Sequence, residues 1–318
     1  MFWLDDFKNE IRRAKVLDLY FKALLHHRRN TCIQPIESWC ISNLKKSFKD
    51  VICASPDTLV KLRDILDQLQ NSNITLNQKE ANYIINTLYG TIDNDGYGKS
   101  AKQVLIEATN ITVCPYCNRN FIYNISNTTN KKVKSTCELD HFFSKKQYPL
   151  LAVSFYNLIP SCHFCNHTKG TKELQAFYPY LITRTETSQV RFTYRPLAVD
   201  YLSNKDSLNV DINILPKIIS SNQQWHGWNS NNIRHDIRML KLKQLYEKHN
   251  DVVQKLLLKY QLYDDDYFEA IYQSFSQYFN SVREVKELMM DTPADLHEAR
   301  NTPLGKLKLD IWEEINQK

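Results

Sequence analysis

Two pairs of cysteines constrain the fold of this chain more than any other feature of its sequence. Each pair has the form Cys-x-x-Cys, and residues 118–161 separate the two pairs, which are Cys114 with Cys117 and Cys162 with Cys165. A two-residue spacer lets a tight turn direct both sulfurs at one ion, and four thiolates complete a closed tetrahedral zinc site with Zn–S distances of about 2.3 Å. The sequence therefore predicts one structural zinc ion held by these four cysteines.

The two cysteine pairs have other interpretations, namely buried free thiols or a redox pair. A single Cys-x-x-Cys unit would leave those interpretations open, but two units within one module favour a metal. The remaining cysteines have no comparable spacing and are expected to behave as small buried hydrophobic side chains. They are Cys32, Cys40, Cys53 and Cys137.

The composition indicates a soluble globular protein, which we expect in the cytoplasm and without a membrane partner. Hydrophobic residues make up 42% of the chain, which argues against global disorder. Asp5 and Asp6 stand where a secretory signal would be basic, and no apolar run approaches the length of a membrane span. The formal net charge of +6 favours a polyanionic partner only slightly over this length.

Helical periodicity dominates both ends of the chain. In the first third, Leu59, Leu62 and Leu66 recur at helical spacing after Ser55 and Pro56, which form an N-cap followed by proline at the first helical position. In the last third, a helical stripe runs over residues 237–260, and a second helix is expected around Tyr267 to Leu288.

One segment between these helical regions has strand periodicity. Apolar residues alternate with polar ones over residues 190–194 and again over 208–214, which predicts a pair of strands. A chain of 318 residues also exceeds a typical domain of roughly 100–200 residues. We therefore predict a mainly α protein with a small α+β core, divided into a helical domain (1–108), a zinc-bound core (109–185) and a β-hairpin plus helical region (186–318).

Residues with catalytic chemistry lie between and beside the two cysteine pairs. Asp140-His141 follows the first pair, Asn157-Leu158 precedes the second, and Asn166 and Lys169-Gly170 follow Cys165 directly. The order Cys-x-x-Cys, Asp-His, Asn-Leu, Cys-x-x-Cys-Asn-x-x-Lys-Gly resembles that of the zinc-containing HNH, or ββα-metal, endonucleases. The resemblance covers roughly residues 113–172.

This resemblance implies a treble-clef ββα core and a Mg²⁺- or Mn²⁺-dependent nuclease. His141 would be the general base for an attacking water, and Asn157 would hold its imidazole in place through its side-chain or backbone carbonyl. Asp140 and Asn166 would bind the catalytic ion, which would stabilise the departing 3′ oxygen. Lys169, one helical turn after Asn166, would contact a phosphate.

Several neighbouring side chains have open roles. Lys169 is nearly as well explained as a solvated lysine, and Glu138, two residues before Asp140, either assists the metal or is a surface carboxylate. His163 and His167 flank the second cysteine pair and could take over a role assigned elsewhere. Nearby lysines could follow a phosphate backbone or be solvated loop residues; they are Lys131, Lys132, Lys134, Lys145 and Lys146.

The stretch from Asp140 to Pro160 is similar to HNH proteins of bacterial anti-phage systems, including the Septu type. That similarity implies an ATPase partner protein and a nucleic-acid target, with DNA the first expectation and structured RNA such as tRNA the second. Two non-enzymatic alternatives stay open: a zinc-dependent nucleic-acid-binding module, and an interaction subunit with a vestigial core. The complete set of Asp140, His141, Asn157 and Asn166 favours the nuclease.

Overall fold

Helices make up most of the chain, as the sequence predicted, and short antiparallel strand pairs make up a smaller α+β part. The computed structural model describes residues 1–4, 10–26, 30–94, 99–126, 133–216, 218–219 and 227–317. Within these ranges the strands form three two-stranded sheets. No helix among the described residues combines the length and the apolar character needed to cross a membrane.

The first third of the described chain is helical. Its helices are α1 (Glu10–Leu25), α2 (Asn30–Leu44), α3 (Phe48–Ile52), α4 (Pro56–Asn71), α5 (Gln78–Asn82) and α6 (Ala101–Thr109). The predicted start of α4 is confirmed, because the Ser55 side chain accepts a hydrogen bond from the Thr58 amide and Pro56 is the first helical residue. Between α5 and α6, a π-helical segment (Tyr83–Leu88) leads into a 3₁₀ turn (Tyr89–Thr91).

The central segment holds two strand pairs and one short helix: β1 (Asn124–Ser126), β2 (Val133–Ser135), β3 (Glu138–His141), β4 (Leu158–Ser161) and α7 (His163–Lys169). Strands β3 and β4 are antiparallel, with Asp140 opposite Ile159 and His141 opposite Leu158. Helix α7 begins inside the second cysteine pair, with Cys162 as its N-cap residue. This start brings Asn166 beside Glu138 of β3.

The last third contains one strand pair and a series of helices: α8 (Arg184–Ser188), β5 (Val190–Pro196), β6 (Leu208–Ile214), α9 (Ser230–Met239), α10 (Leu242–Tyr246), α11 (Asn250–Leu262), α12 (Asp265–Ser274), α13 (Val282–Met290), α14 (Leu296–Asn301) and α15 (Gly305–Asn316). The predicted strand pair is confirmed as β5 and β6, which pair antiparallel from Val190 opposite Ile214 to Pro196 opposite Leu208.

The two helical stretches predicted for this region are each interrupted in the structure. The helix expected around Tyr267 to Leu288 is two helices, because the side chain of Ser281 accepts a hydrogen bond from the Glu284 amide and so starts α13 as a new helix. The stripe over residues 237–260 is also interrupted, since Lys241 adopts a left-handed conformation with φ of 53° between α9 and α10.

Two large clusters of buried side chains organise the described chain. The first joins the N-terminal helices to the central segment and reaches Leu242, so side chains on both sides of residue 108 share one core. The second lies under β5, β6 and the C-terminal helices, with Phe192, Val210 and Leu307 among its members. The division into three domains remains a prediction.

Candidate metal centre and active-site cleft

Four buried cysteines from the two pairs converge on one point. The sulfur atoms of Cys114, Cys117, Cys162 and Cys165 all lie within 4.8 Å of one another. The sulfurs of Cys117 and Cys162 are 3.9 Å apart, close to the roughly 3.8 Å that tetrahedral coordination at 2.3 Å requires. None of the four forms a disulfide. The arrangement therefore fits the zinc ion predicted from the sequence.

The first cysteine pair is held by a tight turn that packs against the C-terminal helices. Asn118 ends this turn with φ of 49°, and its amide donates to the Cys114 carbonyl over 2.8 Å. The Asn118 side chain donates to the Ala299 carbonyl and accepts from the Lys306 amide, each over 2.9 Å. These contacts join residues that are remote in sequence, so the four-cysteine cluster and the C-terminal helices stabilise each other.

Asp140 lies beneath the surface and is satisfied by two buried partners. Lys169 donates from Nζ to Asp140 Oδ1 over 3.0 Å, and the Tyr116 hydroxyl donates to Oδ2 over 2.8 Å. The side chains of Asp140 and Lys169 are each only 1% exposed. Burial raises the pKa of the Asp140 carboxyl, and the charge of Lys169 opposes that rise.

These contacts differ from the roles expected for Asp140 and Lys169. A hydrated Mg²⁺ needs carboxylate oxygens that it can reach, and it keeps several water ligands. The buried carboxylate of Asp140, engaged by an ammonium and a hydroxyl, does not fit that requirement in the described arrangement. Lys169 likewise donates to the His141 carbonyl over 2.6 Å rather than facing solvent, where a phosphate would meet it.

His141 is oriented by a backbone carbonyl. Its Nε2 lies 3.0 Å from the carbonyl oxygen of Ala152. Because a carbonyl only accepts hydrogen bonds, Nε2 must carry the hydrogen, which leaves Nδ1 unprotonated in the neutral ring. Burial, followed by the charge of Lys145, lowers the pKa of His141 to about 3, so the ring is neutral at physiological pH.

The expected partner of His141 is corrected by this geometry. Asn157 was expected to hold the imidazole through its side-chain or backbone carbonyl, but its backbone carbonyl accepts from the Phe142 amide over 2.9 Å. Its fully buried side chain binds backbone groups of the loop between β3 and β4. Its Oδ1 accepts from the Phe143 amide over 2.8 Å, and its Nδ2 donates to the carbonyls of Phe143 and Leu151. Asn157 therefore acts on His141 indirectly, by shaping the loop that presents the Ala152 carbonyl.

Tyr89 adds a contact from the N-terminal helices that the sequence did not indicate. Its ring meets the His141 ring edge-on, with centroids 4.5 Å apart, and its hydroxyl donates to the Leu139 carbonyl over 3.2 Å. The Lys145 ammonium lies 4.3 Å from the centroid of the same ring. A π-helical segment, a feature frequent at functional sites, immediately precedes Tyr89.

A second group of side chains that could bind a metal lies at the surface beside Asp140 and His141. Glu138 on β3 contacts His163, with 2.6 Å between Oε1 and Nδ1, and lies 3.8 Å from His167 Nε2. Asn166 donates from Nδ2 to the other oxygen of Glu138 over 2.5 Å. The contact that the structure gives for the Asn166 side chain is therefore with Glu138, and its expected role as an ion ligand with Asp140 stays a prediction.

One open cleft of about 290 Å³ collects most of these residues. It is lined by Tyr89, Asp140, His141, Lys145, Asn166 and His167, together with Lys146 and the start of the loop after α7. Lys145 and Lys146 thus place two ammonium groups along this cleft. Lys131, Lys132 and the side chain of Lys134, which were named with them, lie outside what the structure describes.

Five candidate site residues were named from the sequence, and the fold places all of them around β3, β4 and α7: Asp140, His141, Asn157, Asn166 and Lys169. The sequence interpretation missed the carbonyl of Ala152 and the hydroxyl of Tyr116. No sequence signal indicates either group, because every residue has a carbonyl and tyrosines are numerous in this chain. Comparisons with protein-family models, curated proteins and solved structures find no match to this chain.

Proposed function

We propose that this chain is a metal-dependent endonuclease of the HNH type, which hydrolyses phosphodiester bonds in nucleic acid. The observation that carries the proposal is the state of His141. Its Nε2 is engaged by the Ala152 carbonyl, which leaves Nδ1 as the unprotonated nitrogen of the neutral ring, and the side chain lines a cleft with two lysines. A structural histidine on a strand does not require this combination.

The local fold supports this proposal. The two cysteine pairs, whose sulfurs cluster together, flank the β3–β4 pair in the sequence, and α7 begins within the second cysteine pair. We interpret these elements as the treble-clef ββα core of the HNH nucleases. In that core the hairpin would carry the base, His141, and the helix would carry Asn166, which lines the same cleft.

The residues of the cleft can each take one role in hydrolysis. His141 Nδ1 would take a proton from the attacking water, and the Ala152 carbonyl would stabilise the imidazolium through Nε2. Lys169 holds the backbone at this base, because it joins the Asp140 carboxylate to the His141 carbonyl. Lys145 would attract the phosphate. A divalent ion, when bound, would stabilise charge on the departing oxygen.

The substrate and the partner follow from the same proposal. Lys145 and Lys146 favour contact with a phosphate backbone, which is independent of base sequence, and we place DNA before structured RNA. An ATPase partner and a role in anti-phage defence are further proposals that rest on the resemblance of the Asp140 to Pro160 stretch. Isolation of the native protein with an associated ATPase would test that part separately.

The nuclease proposal is tested by comparing wild-type protein with His141→Ala. Both are incubated with plasmid DNA and, separately, with total tRNA in Mg²⁺ or Mn²⁺, while bound zinc is quantified. We expect cleavage by wild type only, at equal zinc content, and the polymer that is cut identifies the substrate class. Equal cleavage by His141→Ala would refute the mechanism, whereas tight binding without cleavage would favour the nucleic-acid-binding module.

A further inference from the structure

Three potential metal ligands meet beside the cleft on two adjoining elements, and one of them, His167, lines the cleft. The ligand atoms of Glu138, His163 and His167 all lie within 4.8 Å of one another. Glu138 comes from β3, whereas the two histidines lie one helical turn apart on α7, with ring centroids 3.9 Å apart. The spacing of four residues puts both rings on one side of the helix, facing the strand.

This cluster is open to solvent, unlike the cysteine frame. The side chains of His163 and His167 are 72% and 65% exposed, and that of Glu138 is 36% exposed. A surface histidine–carboxylate pair alone would account for one contact, that of Glu138 with His163. It would not account for the second imidazole at 3.8 Å from the other Glu138 oxygen. All three ligands therefore point at one place.

We propose that Glu138, His163 and His167 bind an exchangeable divalent transition-metal ion. Two imidazole nitrogens and one carboxylate form a three-ligand set that leaves further positions for water or substrate, as in open catalytic zinc sites. Imidazole ligands favour Co²⁺, Ni²⁺ or Zn²⁺ over Mg²⁺ and Ca²⁺, which prefer oxygen ligands, and the Glu138 carboxylate also suits Mn²⁺. The ion would take the place of the direct contact between Glu138 and His163.

The position of this ion relates it to the proposed hydrolysis. Asn166, which donates to Glu138, and His167 both line the cleft that contains His141. A phosphate oxygen drawn into the cleft by Lys145 can therefore complete the coordination of an ion at Glu138. In this arrangement Asp140 is left to its buried contacts with Lys169 and Tyr116. Only this catalytic role rests on the proposed function; metal binding itself does not.

The binding site is tested by metal stoichiometry. Wild-type protein, the double variant His163→Ala/His167→Ala, Glu138→Gln and the exposed-histidine control His297→Ala are dialysed against micromolar Zn²⁺, and bound metal is quantified before and after a mild chelator. We expect two equivalents in wild type and in the control, of which the chelator removes one. We expect only the chelator-resistant equivalent in the double variant.

Titration with Mn²⁺, followed by its electron paramagnetic resonance signal, gives the affinity directly. We expect the double variant to bind Mn²⁺ at least tenfold more weakly than wild type, and Glu138→Gln to weaken binding as well. Unchanged binding in the double variant would overturn the proposal. So would loss of both equivalents in every variant, because a surface site must be separable from the cysteine frame.

Cleavage assays on the same variants separate this inference from the proposed function. If wild type binds the exchangeable ion but cuts neither DNA nor tRNA, the nuclease proposal fails and the metal site stands. If the double variant cuts as fast as wild type in Mg²⁺ or Mn²⁺ while His141→Ala does not cut, the nuclease stands and the catalytic role of this ion fails. Loss of Mn²⁺-dependent cleavage in both the double variant and His141→Ala supports the nuclease proposal and the catalytic role of this ion together.

Discussion

Replacement of Lys169 by methionine distinguishes a buried structural lysine from a phosphate-binding one. The lysine ammonium is 3.0 Å from Asp140 Oδ1 and 2.6 Å from the His141 carbonyl, and both side chains of the ion pair are 1% exposed. Removing one partner of a buried pair leaves an uncompensated charge and costs about 3–5 kcal/mol. Lys169→Met should therefore lower the free energy of unfolding by an amount in that range.

The double variant Asp140→Asn/Lys169→Met provides the matched comparison. Because it removes both charges, it should recover at least about 2 kcal/mol of the loss, since replacing a whole buried pair is much less costly than breaking it. The exposed Lys172→Met serves as a control and should change stability by less than about 0.5 kcal/mol. Tertiary structure is followed by near-ultraviolet circular dichroism during urea unfolding, with zinc held at one equivalent.

If Lys169→Met lowered the free energy of unfolding by less than about 1 kcal/mol, this reasoning would be refuted. If that small loss came with weaker binding of a short DNA duplex and a smaller salt dependence of binding, Lys169 would be the phosphate ligand that the sequence resemblance implied. If Lys169→Met were strongly destabilised but the double variant were no better, the ion pair would not be the source of the stability. Each outcome therefore assigns the lysine to one role.

Three further predictions concern the cysteine frame, the proposed base and the loop that orients it. Cys162→Ser should lose the chelator-resistant zinc and become insoluble or unfolded, whereas Cys32→Ser should keep this chelator-resistant equivalent by metal analysis; full zinc retention in Cys162→Ser would contradict the four-cysteine site. His141 has a folded-state pKa of about 3 against about 6.5 when unfolded, so the unfolded state binds the extra proton and stability should fall as the pH falls from about 6.5. The free energy of unfolding, measured with urea, should fall by up to about 1.4 kcal/mol per pH unit. This pH dependence should be absent from His141→Gln, and parallel pH profiles of wild type and variant would disprove the prediction. Asn157→Ala should cost about 2–4 kcal/mol, because it leaves buried backbone groups of Phe143 without partners, and amide exchange in that loop should accelerate.

Local spacing was enough to predict the metal frame and much of the secondary structure. Two residues between cysteines restrict where their sulfurs can point, so Cys114 and Cys162 could be assigned to a metal without knowledge of the fold. Helix α4 and the β5–β6 pair were predicted from caps and alternation for the same reason. The breaks before α10 and α13 were missed, because an apolar stripe continues through residues that Lys241 and Ser281 turn into helix boundaries.

The sequence by itself determined which side chains of the candidate site are present and that cysteines would bring them together. Only the tertiary structure decided what each one contacts. Asp140 and Lys169 are polar residues that the sequence places equally well at a surface, and their burial depends on Tyr116 and on packing from distant elements. His141 is oriented by the Ala152 carbonyl, a backbone group that no residue type identifies. Burial and backbone direction are properties of the packed chain, so local pattern alone could not specify them.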